Sequence, residues 1–121
     1  MSLSVWVLVA VTGALGALAR HIVDQSVTRR AGSALPVGTL AVNGSGSVLL
    51  GLAIGSGVGG TTLVVLGAGA IGSYTTFSTW MFESHRLAEE GQGRLAAANV
   101  IVSVAVGLVC AGGGWWLGSL A

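Results

Sequence analysis

The residues able to do chemistry in this chain are few, and they sit in apolar surroundings. Asn43, Ser47, Gly51 and Gly55 recur at i, i+4 spacing, so a helix through them carries all four on one face. Asn99, Ser103 and Gly107 repeat the pattern further on. Each stripe offers hydrogen-bond donors on a strip narrow enough to meet another helix, which suits either bonding between helices or the lining of a polar path. Between the stripes, Gly72-Ser73-Tyr74-Thr75-Thr76-Phe77-Ser78-Thr79-Trp80 places glycine, serine and threonine inside a hydrophobic segment. Such a run makes a poor continuous helix. Non-helical backbone at membrane depth persists only when protein or a polar cavity surrounds it. The expectation is a broken helix, with freed carbonyls suited to a cation and freed N–H groups and hydroxyls suited to an anion. Tyr74 is compatible with either lining that break or packing beside it.

The acidic residues decide between these charges. Asp24, Glu83, Glu89 and Glu90 all fall in or beside expected links, and none falls inside an expected span. A proton-coupled exporter of organic cations, of the small multidrug resistance type, needs a buried carboxylate, and Val5 to Ala19 contains none. A donor-rich lining without carboxylates favours an anion, and the positive edges of aromatic rings add to that preference. No nucleophile–base pair, phosphate loop or metal cluster stands out, so no enzyme is expected. His21 and His85 lie at span ends without Cys or carboxylate partners at ligand spacing, and interfacial anchoring is their expected role. The single cysteine, Cys110, excludes an internal disulfide and reads as a packing residue.

These residues must be positioned by elements that live in lipid. Of 121 residues, 53% are hydrophobic and 7% are charged, against about 25% charged in soluble domains. Spans of about 20 apolar residues are expected at about 5–23, 37–54, 61–82 and 95–117, one membrane domain over 1–121. The stretch before the first apolar run has no Lys or Arg, so that run reads as a span rather than a signal peptide. Pro36 opens the second span, where its missing N–H costs nothing. Gly55 to Gly60 forms a glycine-rich turn, while 24–33 and 83–94 are expected to be polar links. Gly51 and Gly55 form a GxxxG pair suited to close helix approach. Trp6, Trp115 and Trp116 near span ends fit an interfacial aromatic belt. All five basic residues, Arg20, Arg29, Arg30, Arg86 and Arg94, lie near the two links on one face. The positive-inside rule then puts both termini outside the cytoplasm.

Taken together, Gly13…Gly16-Ala17…Arg20, Gly38-Thr39-Leu40…Val42-Asn43 and Thr75-Thr76-Phe77-Ser78-Thr79 resemble the Fluc (CrcB) family of bacterial fluoride channels over essentially the whole chain. The resemblance implies an all-α integral membrane protein with four transmembrane helices and a broken third helix. It further implies an antiparallel dual-topology dimer with two fluoride pores, in the bacterial cell membrane. Its partners would be fluoride, the lipid bilayer and a second subunit, with no nucleic acid. Carried over, Asn43 and Phe77 match pore residues, Ser78 and Thr79 the hydroxyls beside them, and Asn99 and Ser103 a polar track on the fourth helix. Arg20 matches a family arginine expected at the pore vestibule. The carbonyls of Gly72 and Thr75 match those holding a structural Na+ at the dimer centre.

Two features depart from the family pattern. The motif usually ends in a second phenylalanine, where this chain has Trp80, whose bulk is capable of closing a pore built for a phenyl ring. An opposed homodimer also needs a chain that inserts both ways, whereas the arginines here favour one way. The expected partner is therefore a homologous subunit of opposite bias, with one of the two pores vestigial. The alternatives are a homodimer, a non-conducting subunit that only stabilises a partner, and the small multidrug resistance exporter.

Overall fold

The computed structural model describes every residue, Met1–Ala121, and is entirely helical. Helix α1 runs Leu3–Ala31. It starts where the Ser2 hydroxyl accepts the Val5 N–H, and stops at Gly32, whose left-handed φ of 57° suits a glycine. At 29 residues, it is about 43 Å long at 1.5 Å per residue and overshoots a hydrocarbon core of about 30 Å. The expected link at 24–33 is thus mostly helix, because no residue between Asp24 and Ala31 is a glycine or proline. Arg29 and Arg30 in its last turn complement the negative helix end.

Helix α2 spans Val37–Gly55 directly after Pro36 and turns at Gly57, φ 85°. The next crossing is built in pieces: α3 (Gly60–Leu63), a π-helical stretch (Val64–Ile71), α4 (Gly72–Tyr74), an extended Thr75 (φ −79°, ψ 160°), then α5 (Ser78–Glu89). The helix break expected in the glycine–serine–threonine run lies at Thr75–Phe77. The π-helical stretch before it had no counterpart in the sequence reading. Helix α5 continues through Glu89, so the expected link at 83–94 shrinks to a turn at Gly91 (φ 77°) before α6 (Gly93–Ser119). α1, α2 and α6 are each long and apolar enough to cross a membrane.

Glycines set the closest approaches. A Cβ on Gly51 would collide with the Ala111 carbonyl, one on Gly55 with the Trp115 carbonyl, and one on Gly114 with that of Val48. The GxxxG pair of α2 thus meets the backbone of α6, running in the same direction. Gly16 of α1 lies equally close to the Ala70 carbonyl in the π-helical stretch. Gly46 lies against the Thr75 methyl, which brings α2 up to the break. Val42, Leu87 and Ala96 are the only buried apolar side chains, while Leu and Val residues face outward along α1 and α6. That inversion suits a chain surrounded by lipid, where tight backbone packing rather than apolar burial associates helices.

Candidate functional site

The break is held open by one side chain. The Asn43 amide donates from Nδ2 to the Thr76 carbonyl and accepts the Thr76 N–H at Oδ1, both at 2.8 Å. Asn43 thereby replaces the two helical partners that Thr76 has lost, the condition for irregular backbone in lipid. One N–H of its amide remains uncommitted. The Thr76 hydroxyl accepts the Thr79 N–H at 3.2 Å and so caps the start of α5. Ser78 is exposed, its Oγ 3.4 Å from that of Thr76.

Two cavities meet at this pair. A polar mouth of about 220 Å³ is lined by Arg20, His21, Asp24, Thr39, Thr76 and Thr79. On the other side lies an open groove of about 300 Å³, lined among others by Asn43, Ser47, Thr75, Thr76, Phe77 and Trp80. Thr76 borders both. Phe77 is 70% exposed over the groove and meets the Trp80 ring edge-on, with centroids 5.7 Å apart. The groove is open to the outside of the chain.

The carbonyls of Gly72 and Thr75 are left without backbone donors, because the Thr76 N–H has gone to Asn43 and the turn is extended. Arg20 Nη1 approaches the Thr75 oxygen at 3.4 Å. Hard carbonyl oxygens free of helical bonds fit a monovalent cation. Two of them do not complete the shell of such an ion.

Residues 7–115 match the family model described as CrcB-like protein, Camphor Resistance (CrcB). The chain belongs to the CrcB family. It is 41% identical over 120 residues to the fluoride-specific ion channel FluC 2 of Mycobacterium bovis, covering 99% of this chain and 95% of that one. Over 106 residues it is 47% identical to FluC 2 of Mycolicibacterium paratuberculosis, covering 88% and 87% of the two chains. Identity to FluC 1 of Symbiobacterium thermophilum is 46% over 119 residues, 93% of each. Like its CrcB relatives, the chain is a multi-pass membrane protein.

Around this CrcB core the other expected site residues part company. Asn43, Phe77 and Trp80 come together at the groove, while Thr79 and Arg20 face the mouth. Asn99 and Ser103 line neither cavity. Asn99 is 2% exposed and donates from Nδ2 to Ser84 Oγ at 2.8 Å. Ser103 is half-buried and makes no side-chain hydrogen bond.

Thr39, Glu83 and Asp24 hold places at or beside the site that sequence spacing alone does not assign. Thr39 lies one turn before Asn43, and extending the i, i+4 stripe backward would have found it. Its hydroxyl donates to Glu83 Oε1. Glu83, beyond the end of the third expected span, is half-buried, and desolvation holds its carboxyl above the ordinary value of 4.5. The Thr39 hydrogen bond opposes that rise, and the neighbouring Asp24 adds to it. Both acids, expected in or beside links, sit in helices that border the mouth.

Proposed function

We propose that this chain is a subunit of a fluoride-selective passive channel in a bacterial cell membrane, letting the ion leave the cytoplasm down its gradient. The carrying observation is the junction at Asn43 and Thr76, where a polar mouth and an aromatic-walled groove share one border. Fluoride is small and strongly hydrated, so a pore must replace its water with closely spaced donors while excluding larger anions. The spare Asn43 N–H, the hydroxyls of Ser78 and Thr79, and ring edges at Phe77 supply donors of that kind. Arg20 at the mouth attracts an anion. The relatives named as fluoride-specific ion channels support the same reading. No step in it is enzymatic.

The open groove and the exposed Phe77 favour a dimer in which a second subunit, packed antiparallel, covers the wall that this chain lacks. Structural Na+ would fit between the Gly72 and Thr75 carbonyls of the two subunits, which the break leaves without backbone donors, with Arg20 turned away from the Thr75 oxygen. The arginine distribution favours both termini outside the cytoplasm, and a homologous partner of opposite bias over a second copy. A purely stabilising role for this subunit is the second reading, and Trp80 at the groove is the observation behind it.

Fluoride efflux from liposomes, followed with a fluoride electrode beside a chloride control, tests the proposal. The chain is reconstituted alone and then with an oppositely biased homologue. Rapid fluoride-selective efflux in either condition is expected. Folded protein that passes no fluoride in both would sink the channel reading. Flux that requires the homologue but persists after disruption of this chain's groove would favour the stabilising role.

A further inference from the structure

We propose that Trp80 is a positioning residue whose indole N–H, bonded to α6, hangs the second half of the broken helix in place and sets the posture of Phe77. The inference rests on the channel reading above for its effect on ion flow, but not for its geometry. Helix α5 follows a non-helical joint at Thr75–Phe77, so its placement depends on what ties it to neighbours. Trp80 Nε1 donates to the Asn99 carbonyl at 3.2 Å, and Asn99 Nδ2 donates to Ser84 Oγ at 2.8 Å. Ser84 Oγ donates in turn to the Trp80 carbonyl at 2.9 Å. The three bonds close a ring between α5 and α6. Two of its members are withdrawn from solvent, Asn99 at 2% and Ser84 at 7% exposure.

The chemistry of the ring is particular to tryptophan. Indole is a large apolar ring with one donor and no acceptor, and that donor usually finds a partner when buried. A phenylalanine at this position has no donor for the Asn99 carbonyl. Because the indole N–H is spent on protein, Trp80 presents only ring surface to the groove and offers no donor to a passing anion. Its edge contact with Phe77, planes at 81°, then transfers the placement of α5 to the exposed phenyl ring. Trp80 in this arrangement is a strut rather than a plug or an anion ligand.

The test uses the full chain, reconstituted with its partner where flux requires one. Replacing Trp6, Trp115 and Trp116 with Phe leaves Trp80 as the only indole. With ¹⁵N-labelled tryptophan, its indole N–H resonance is expected to exchange slowly with water and to stay unmoved through a fluoride titration. A saturable fluoride-dependent shift absent with chloride, or fast exchange in folded protein, would place the N–H in the anion path and overturn the proposal. Trp80→Phe and Ser84→Ala are each expected to lower fluoride efflux about fivefold, the factor that one hydrogen bond of about 1 kcal/mol corresponds to. The double variant should lose little more than either single one, because the ring is already open. Multiplicative losses, or a Trp80→Phe chain that conducts as fast as the parent, would also count against it. If the parent chain passes no fluoride, the channel reading fails, while the resonance still reports whether the strut exists.

Discussion

At the residue scale, the mouth is governed by a contest of charges. Arg20 favours an approaching anion and Asp24 in the same lining opposes it, while Glu83 lies behind the lining, bonded to Thr39. Glu83 is the group whose carboxyl the fold pushes toward its neutral form. Burial raises its pKa, the Thr39 hydroxyl and Arg86 pull it back, and Asp24 pushes it up again. A raised carboxylate pKa means that the ionised form is the disfavoured one in the fold. Stability from this residue is therefore fully present below the ordinary value and is lost as pH rises through the raised one. The same proton removes negative charge from behind the mouth, where Glu83 bonds Thr39 of its lining. Fluoride flux is expected to rise as pH falls from neutrality through the Glu83 pKa, and Glu83→Gln should flatten that rise in paired liposome assays. A pH profile of the Gln variant that superimposes on the parent's would show that Glu83 does not act on the ion.

At the scale of elements, glycine decides which helices touch. Gly51→Val drives a side chain into the Ala111 carbonyl, and Gly114→Val into that of Val48. Overpacking of this sort costs about 1–3 kcal/mol or more, and each variant should lose monodisperse protein on size exclusion. Gly112 and Gly113 have nothing near a built Cβ. Alanine at either should raise the unfolding temperature, in line with the roughly 1 kcal/mol by which alanine exceeds glycine in a helix. A fall in unfolding temperature at Gly112 would indicate a lipid or protein contact on that face.

The same elements show where sequence was informative. The break was legible because glycine, serine and threonine in an apolar segment have no good helical solution. The π-helical stretch was not, since Val64–Ile71 is uniformly small or apolar and carries no periodicity to distinguish one helical pitch from another. Polar residues at 24–31 and 83–89 suggest links by composition, yet polarity alone does not end a helix. Gly32 and Gly91 end them. Asn99 illustrates a further limit: i, i+4 spacing gave its stripe but not its neighbours. Only packing reveals that its amide meets Ser84 rather than either cavity.

For the whole molecule, the proposed account joins orientation to assembly. All five arginines lie toward one side of the expected bundle, so the chain should insert with a single topology. Tags on either terminus should be accessible to protease only from the extracytoplasmic side. Equal labelling from both sides would remove the case for a partner of opposite bias and leave a dual-topology homodimer.

The central claim is that fluoride passes where Asn43 meets Thr76. It is tested most directly by electrode-monitored efflux from liposomes holding the parent or Asn43→Ala chain, with the oppositely biased homologue present throughout and size exclusion confirming intact protein. The account predicts fast fluoride efflux with no matching chloride flux for the parent, and loss of most of the fluoride flux attributable to this chain in the variant. Equal fluoride flux through both chains, or chloride passing as readily as fluoride, would contradict it.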